Sequence, residues 1–402
     1  MKFLFSHRNF PGQFKNILIE LGKDPTNEIV FITGTPNNIN IRGVKKFVYK
    51  LKRQVPDNCH RYLRQYEESV NHGQSAAEIA IMLREQGFYP DVIYVHPWGN
   101  SLFLKDIFPK SKKICFCEWY YNVEGADIGF DRQIINDDLK AKTRCKNASL
   151  LLDLVDCEKG IAPTYWQKSQ FPKEFQDKIE VLHDGVDTEY FTPDKDAVLK
   201  IPNSDIELTA KDKVVTYATR GMEPYRGFPE FMKMVESLLK KRSDVQVVIG
   251  GEDRVCYGAR LAKGTFKEYM LNSLGIDMSR VHFTGGLPYG EYKKLLQISS
   301  AHVYLTYPFV LSWSLMEAMS VGCCIVASKT PPVEEVLQDN KNGLLFDFYN
   351  LQEMQKQVEY ALDNQDKVQE LRNNARKTIQ DNYALQDLLP KHIEILKSLG
   401  QL

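Results

Sequence analysis

Residues 213–240 of the 402-residue chain read KVVTYATRGMEPYRGFPEFMKMVESLLK. The run 213–219 is rich in β-branched and aromatic residues, which is typical of a buried strand. After a loop that contains two glycines, Pro229 suits the first turn of a helix. The segment therefore predicts a strand, a loop and a helix, the repeating unit of a parallel α/β sheet. Apolar residues share one face of this helix at Phe228, Phe231, Met232, Val235, Leu238 and Leu239.

The same alternation recurs along both halves of the chain, which predicts two doubly wound domains. We expect domains at residues 1–190 and 191–380, a linker around 185–205, and a last helix, 381–402, that crosses back to the first domain. A cleft between the domains, lined by the carboxyl ends of the strands, is the expected ligand site. The predicted strands are 2–6, 28–33, 44–50, 91–96, 113–119, 160–163 and 179–183, then 213–219, 245–250, 281–284, 302–307, 324–328 and 343–346.

Composition excludes several classes of protein. Hydrophobic residues make up 43% and charged residues 26%, with 52 basic and 52 acidic side chains, so disorder and a nucleic-acid partner are disfavoured. No apolar run is long enough to span a membrane, and the first five residues meet His7 and Arg8 too soon for a signal peptide. We therefore expect a cytoplasmic protein. Its eight cysteines are expected to be reduced thiols.

Charged and hydroxyl residues follow two strands of the second half. Arg220 and Arg226 come after the strand 213–219, and arginine forks suit a diphosphate leaving group, although surface ion pairs are an equal alternative. Ser312 and Ser314 begin a helix, where free N–H groups bind phosphate. Glu317 lies on an apolar part of that helix and needs a partner, which a ribose diol or a structural lysine or arginine would provide.

The loop after the first strand, SHRNFPGQF at residues 6–14, carries one glycine, Gly12, before a predicted helix. A backbone amide can approach an anionic group there. The loop lacks the closely spaced glycines of a dinucleotide site, which argues against a nicotinamide-dependent dehydrogenase.

Taken together, residues 216–227 and 308–343 resemble the donor domain of family 4 retaining glycosyltransferases. Matches in the same order at 161–167, 184–188 and 342–345 extend the resemblance over most of the chain. A subgroup of this family shares the Asn-Phe-Pro-Gly-Gln-Phe opening and the segment Tyr-Pro-Phe-Val-Leu-Ser-Trp-Ser. The resemblance implies the GT-B fold, in which two Rossmann-like domains face each other across a cleft.

The resemblance also implies roles for individual residues. Arg220 and Arg226 correspond to the family's phosphate-binding Arg and Lys, which stabilise the leaving group. Glu317 corresponds to the Glu that holds the ribose hydroxyls, and Gly12 to the glycine that faces the diphosphate. The remaining donor-binding residues are the loop whose backbone reads the base, with Gly285, Leu287 and Tyr289, and the start of the donor helix, with Ser312, Trp313 and Ser314.

The chain departs from the family pattern at two positions. Phe309 stands where the family places a first Glu against the donor sugar. The catalytic-site His also has no clear equivalent, and either Glu118 or His96 is the candidate to position the sugar or the acceptor. Trp119 and Tyr120, next to Glu118, are candidates to stack on a sugar ring, with packing as the alternative.

We therefore expect a retaining, metal-independent hexosyltransferase that uses a UDP- or GDP-sugar as substrate, needs no cofactor, and acts on a glycan or glycolipid intermediate of surface polysaccharide synthesis. Two alternatives stay open. One is a non-catalytic subunit that binds nucleotide or glycan, and the other is an epimerase or phosphorylase of the same fold. The basic run Arg42 to Arg53 would suit peripheral contact with the inner face of a membrane or with an acidic acceptor, although a solvated strand edge is the preferred alternative.

Overall fold

The computed structural model describes residues 1–131 and 134–401. Its contacts divide the chain into two units. Unit 1 comprises Met1–Gly185 together with Gln386–Leu402, and unit 2 comprises Val186–Leu385. The last helix thus belongs to unit 1 by its contacts.

Unit 1 is built on a parallel sheet of seven strands within the described residues, in the order β3-β2-β1-β4-β5-β6-β7. The strand order reverses between β1 and β4, and parallel sheets bind ligands at the carboxyl ends of strands beside such a switch point. The loops that follow β1 and β4 are therefore the expected places for functional side chains. The strands are β1 Lys2–Ser6, β2 Glu28–Thr33, β3 Val44–Val48, β4 Val92–Val95, β5 Lys112–Phe116, β6 Lys159–Ala162 and β7 Ile179–Val181.

Helices cover both faces of this sheet. Successive residues of a strand point to opposite sides, so each strand supplies apolar side chains to both faces. Leu4 packs with the cluster that contains Ala76 and Ala80, whereas Phe3 and Phe5 pack with the opposite cluster. Both faces are thus apolar, as a parallel sheet requires. The helices are α1 Lys15–Leu21, α2 Arg64–Glu85, α3 Leu104–Ile107, α4 Asp137–Lys146, α5 Ala148–Asp156, α6 Tyr165–Ser169 and α7 Lys173–Gln176, with 3₁₀ turns at Gly12–Phe14 and Asp127–Gly129.

Unit 2 repeats this plan. Its main sheet has six parallel strands within the described residues, in the order β12-β11-β10-β13-β14-β15, so the switch point lies between β10 and β13. The strands are β8 Val198–Lys200, β9 Glu207–Thr209, β10 Lys213–Gly221, β11 Val245–Glu252, β12 Val281–Gly285, β13 Ala301–Tyr304, β14 Ile325–Ser328 and β15 Leu344–Phe346. The helices are α8 Phe228–Lys241, α9 Phe266–Ser273, α10 Tyr289–Gln297, α11 Trp313–Val321, α12 Pro331–Glu334, α13 Leu351–Asp363 and α14 Gln365–Asn382, with 3₁₀ turns at Pro224–Arg226 and Met278–Arg280; α15, Leu385–Gly400, follows in unit 1.

The segment predicted as a linker, 185–205, is largely part of unit 2. Phe191 and Leu199 are buried in its core, and β8 pairs with β9 as an antiparallel hairpin. The linker prediction is therefore wrong for these residues. Pro193 and the polar residues near it gave the segment a loop-like composition, although alternate side chains of the short strands are buried.

The two parallel sheets confirm the predicted doubly wound architecture, because each predicted strand overlaps a strand of the structure. None of the helices within residues 1–131 and 134–401 combines the length and the apolar character needed to traverse a lipid bilayer.

Candidate functional site

Arg226 follows β10, and contacts of its carbonyl group and of the next residue, Gly227, fix its backbone. Its backbone carbonyl accepts a hydrogen bond from the hydroxyl of Tyr217 at 2.7 Å. Gly227, the next residue, has a φ of +65°, and a side chain there would lie 2.4 Å from Cβ of Leu305. Glycine is therefore required at this turn, because it alone combines that backbone conformation with so close an approach.

Arg226 is 6% exposed, and its guanidinium donates to neutral acceptors. Its Nη1 lies 2.7 Å from Oγ1 of Thr306, 3.2 Å from the hydroxyl of Tyr304 and 3.1 Å from the carbonyl oxygen of Val310. It makes no ion pair with any carboxylate in the described part of the chain. A buried charge without a carboxylate in ion-pair contact is costly, so this position favours a bound anion.

Two aromatic rings lie beside the Arg226 guanidinium. Its central carbon is 5.1 Å from the ring centroid of Tyr257 and 6.0 Å from that of Phe309. Burial alone lowers the pKa of Arg226, but Tyr304, Tyr257 and Glu223 outweigh it and raise the pKa above its ordinary value. The side chain therefore stays charged.

Glu223 fixes the loop that carries Tyr257. Its carboxylate is fully buried and accepts backbone N–H bonds from Cys256, Tyr257 and Gly258 at 2.7 to 3.1 Å. Sequence reasoning missed Glu223 and Tyr257, because nothing in the local pattern indicates that residues so far apart along the chain meet beside Arg226.

Phe309 is buried in an aromatic cluster. Its ring packs edge-on against Tyr225, with centroids 5.5 Å apart, and against Tyr257, with centroids 5.3 Å apart. The position where the related family carries a carboxylate is thus occupied here by a packed aromatic ring next to the Arg226 charge.

The start of helix α11 is linked to Arg226 through Tyr304. The backbone N–H of Ser312 donates to the Tyr304 hydroxyl at 3.0 Å, and that hydroxyl also accepts from Arg226. Ser312 caps the helix by accepting from the backbone N–H of Ser314, and Trp313 is 44% exposed. The structure therefore brings the predicted residues Arg226 and Ser312 together, with Tyr304 as a bridge that the sequence did not reveal.

Glu317 lies on the same helix and is 8% exposed. The hydroxyl of Tyr289 donates to its carboxylate, and Tyr190 stacks on Tyr289 with ring centroids 5.9 Å apart. Burial raises the pKa of Glu317 to about 7, although hydrogen bonds from Tyr289 and Tyr292 oppose the shift. The side chains that contact Glu317 are thus tyrosines, and not the structural lysine or arginine that the sequence offered as one alternative.

The other residues predicted to bind the donor lie in different surroundings. Tyr289 begins α10 directly after the loop of Gly285 and Leu287, and Leu287 packs against the core of unit 2. Arg220, near the end of β10, is exposed, and the described residues give it no hydrogen bond or ion pair. No hydrogen bond in the described part of the chain joins Arg220 to Arg226 or to Glu317.

In unit 1, the two candidates His96 and Glu118 meet each other. His96 follows β4 and is 1% exposed, and its Nε2 lies 3.2 Å from Oε2 of Glu118, which follows β5. Nε2 of Gln13 donates to the other oxygen of Glu118 at 3.0 Å. The residues that the sequence offered as alternatives therefore form one hydrogen-bonded pair, and Gln13 is an unpredicted third member.

His7 and Gly12 complete this region. The His7 ring lies 4.7 Å from that of His96, and its Nδ1 accepts from the backbone N–H of Asn9 at 2.7 Å. Gly12 has a φ of +55°, and a side chain there would lie 3.0 Å from the His7 ring. Gly12 is thus required for the close approach of this turn to His7. Sequence reasoning missed His7, although it stands in the loop of residues 6–14.

The aromatic residues after Glu118 are mostly packed. Trp119 is buried, with its ring 6.3 Å from that of Trp166, and Tyr120 packs against Phe171 at 5.8 Å. The packing alternative therefore accounts for Tyr120. The described residues contain no group of three or more His, Cys, Asp or Glu side chains arranged to hold a metal ion.

Two family models match consecutive parts of the chain. Residues 25–191 match the glycosyl transferase family 4 group, and residues 202–378 match glycosyl transferases group 1. The chain is also 23% identical over 190 residues to a D-inositol 3-phosphate glycosyltransferase of Corynebacterium aurimucosum. That alignment spans 46% of this chain and 44% of the relative.

Solved structures with a similar fold cover nearly the whole chain. Anabaena Alr3699/HepE in complex with UDP-glucose superposes with a TM-score of 0.71 at 15% identity, over 99% of this chain and 100% of that one. Sucrose-phosphate synthase from Thermosynechococcus elongatus gives a TM-score of 0.73 at 12% identity, over 99% of each chain. These similarities confirm the predicted GT-B fold.

Proposed function

Because the chain carries a glycosyl transferase family 4 domain followed by a group 1 domain, we propose that it transfers a hexosyl group from a UDP-sugar to an acceptor hydroxyl, with retention of configuration and without a metal ion. The neighbour Alr3699/HepE is described in complexes with UDP and with UDP-glucose, which supports UDP over GDP. The acceptor we favour is a glycan or glycolipid intermediate of surface polysaccharide synthesis.

The observation that carries this proposal is the buried, unpaired charge of Arg226. It lies beside the start of α11, where the first backbone N–H groups of a helix favour an anion. A diphosphate gains charge as the sugar departs, so a fixed cation in a site of low dielectric stabilises the transition state more than the ground state. The hydroxyl groups of Ser312 and Ser314, which lie 2.8 Å apart, would contribute a further donor there.

Glu317 and its tyrosines suit the nucleoside part of the donor. A buried carboxylate that already accepts from Tyr289 has lone pairs left for ribose hydroxyls, and hydrogen bonds to the charged form would lower its raised pKa. Base recognition would fall to the loop of Gly285 and Leu287, next to Tyr289.

In unit 1, the pair of His96 and Glu118 would orient the sugar or the acceptor. Gln13 and His96 leave the Glu118 carboxylate partly exposed, with its side chain 19% accessible. Retention follows if an oxygen of the leaving diphosphate takes the proton of the acceptor hydroxyl on the face that the leaving group vacates. The new glycosidic bond then forms as the bond to the diphosphate breaks.

The test is turnover of UDP-glucose and other nucleotide sugars by the purified protein, together with UDP binding followed by thermal shift. Arg226→Gln removes the positive charge, so we expect kcat to fall by about 10²-fold. The matched control is Arg84→Gln, at a half-buried arginine of α2 outside the site, which should behave as the wild type.

A second candidate, a non-catalytic nucleotide-binding subunit, is favoured by Phe309 in place of a carboxylate. UDP binding without hydrolysis or transfer from any nucleotide sugar would support it and overturn transfer. Turnover that does not depend on an acceptor, or that requires free phosphate, would point to an epimerase or a phosphorylase instead.

A further inference from the structure

A pocket of about 420 Å³ opens in unit 1 near the carboxyl ends of its central strands. One wall is the first turns of α2, with Glu68, and another is the loop after β4, with Trp98. The loop after β1 contributes Arg8, and the end of α4 contributes Lys146. The pocket therefore lies at the switch-point edge, where sheets of this kind bind ligands. We call it the basic pocket.

The lining of the basic pocket is unbalanced in charge. It contains three cations, Arg8, Arg64 and Lys146, and one carboxylate, Glu68. Glu68 is already engaged by Nη1 of Arg8 at 2.8 Å, while Nε of Arg8 donates to the carbonyl oxygen of Trp98 at 2.7 Å. The nearby His72 does not add to this charge, because burial lowers its pKa to about 4. The pocket thus holds excess positive charge.

Lys146 is the cation of the basic pocket that most favours an anionic ligand. Its Nζ lies 3.2 Å from the ring centroid of Tyr121, and it makes no ion pair within residues 1–131 and 134–401. Burial lowers its pKa to about 8, with Lys142 acting in the same direction and Asp127 opposing. An ammonium desolvated in this way binds an anion more strongly than one in water.

Trp98 gives the same pocket an aromatic surface, which suits the face of a sugar or cyclic polyol ring, while one face of Tyr121 is covered by Lys146. Trp98 also connects it to the proposed acceptor-orienting pair, since its ring lies 4.1 Å from that of His96. We propose that the basic pocket binds an anionic substituent of the acceptor, a phosphate ester on a hydroxylated ring, through Arg8, Arg64 and Lys146. This inference rests on the proposed function and names its acceptor class.

Binding of the anion in the basic pocket would position the acceptor ring. An anion anchored by Lys146 and Arg64 would fix the ring against Trp98, so that one hydroxyl is presented toward the His96 side of the pocket. Anchoring a remote, non-reacting group is an efficient way to orient a reacting one. Neutral sugars of the same size would enter the pocket but would not be held in one orientation.

Binding of three probes by calorimetry tests the inference: glucose, glucose 6-phosphate and the octyl diester of glucose 6-phosphate. We expect both phosphates to bind at least about ten-fold more tightly than glucose, as charge-assisted bonds require. Preference for the monoester would indicate a free sugar phosphate, and preference for the octyl diester a lipid-linked one. Equal binding of glucose and both phosphates would overturn the inference.

Variants of the lining residues test whether the phosphates bind in the basic pocket. Lys146→Met should weaken glucose 6-phosphate binding about ten-fold, and Arg64→Gln, at an exposed position, should do so several-fold. Lys140→Met, on an exposed turn of the same helix, is the matched control, and Glu68→Gln should tighten binding. Phosphate binding that is unaffected by Lys146→Met and Arg64→Gln would contradict this site. UDP binding to unit 2 is measured in parallel, so that its absence would count against the proposed function alone.

Discussion

Each unit places two ionisable side chains of its candidate site near the switch point of its sheet, but the two units treat them differently. In unit 1, His96 and Glu118 are hydrogen-bonded to each other, and Gln13 engages the second carboxylate oxygen. In unit 2, Arg226 and Glu317 have no hydrogen bond between them in the described structure, and each is surrounded by hydroxyl groups and aromatic rings.

This difference indicates different tasks. A pair whose members are hydrogen-bonded to each other keeps its geometry without a ligand and suits the orientation of neutral hydroxyl groups. Separate buried charges cost folding free energy and interact strongly with a ligand of opposite or complementary character. We therefore expect unit 2 to gain most from nucleotide binding, and the pair in unit 1 to affect turnover with little effect on nucleotide affinity.

The largest effect is expected at the pair in unit 1. Glu118→Gln keeps the shape of the side chain but removes its charge, so the sugar or acceptor is no longer oriented. We expect kcat to fall by about 10²- to 10³-fold. UDP affinity, measured by calorimetry, should be unchanged.

Glu124→Gln, at an exposed position of the same unit, is the control for this substitution. If Glu118→Gln weakened UDP binding as much as turnover, the division of tasks between the two units would be wrong.

The next effect concerns the stability of unit 2. The pKa of Glu317 is about 7 in the folded protein and near 4.5 when unfolded, so its contribution to stability is full below pH 4.5 and is lost as the pH rises through about 7. The variant Glu317→Gln has no carboxyl group to ionise, so it does not lose this stability as the pH rises. We expect it to stabilise the ligand-free protein at pH 8 by up to about 3 kcal/mol, and to have little effect at pH 4.5.

Urea denaturation of the wild type and of Glu317→Gln across this pH range measures the effect. The same variant should bind UDP more weakly, because an amide is a poorer acceptor for ribose hydroxyls than a carboxylate. A stability difference independent of pH would mean that the carboxylate is solvated in the folded protein.

A smaller effect is expected for Glu223, whose carboxylate accepts the backbone N–H groups of residues 256–258. Glu223→Gln turns one acceptor into a donor that faces other donors, which should destabilise unit 2 by about 2 kcal/mol. Hydrogen exchange should then increase at these amides, and Tyr257 should no longer support Arg226. Glu252→Gln, at an exposed end of β11, is the control.

The fold was largely predictable because its strands are short apolar runs between helical stretches. The strand Glu28–Thr33, for example, has the predicted bounds, and others differ by one to three residues at their ends. The hairpin of β8 and β9 was not predictable, because three-residue strands carry too little pattern to be told from a loop.

The candidate site was predictable only where chemistry and local sequence coincide. Glu317 stands out because a charge in an apolar stretch requires a partner, and Arg226 because an arginine fork after a strand suits a diphosphate. Their actual surroundings, Tyr304 for Arg226 and Tyr289 for Glu317, come from other strands and helices. Distances between such elements depend on the packing of the whole unit, and so sequence spacing could not give them.

The smallest expected effect is that of removing divalent metal ions. Arg226 and the first N–H groups of α11 already supply positive charge beside the proposed diphosphate site, and Mg²⁺ in other enzymes neutralises that same charge. We therefore expect EDTA to leave turnover of UDP-glucose unchanged, and added Mn²⁺ to leave it unchanged as well. A loss of activity in EDTA that Mn²⁺ restores would mean that Arg226 and the start of α11 do not neutralise the charge of the leaving diphosphate. Unit 2 would then need a metal ion in addition to its own side chains.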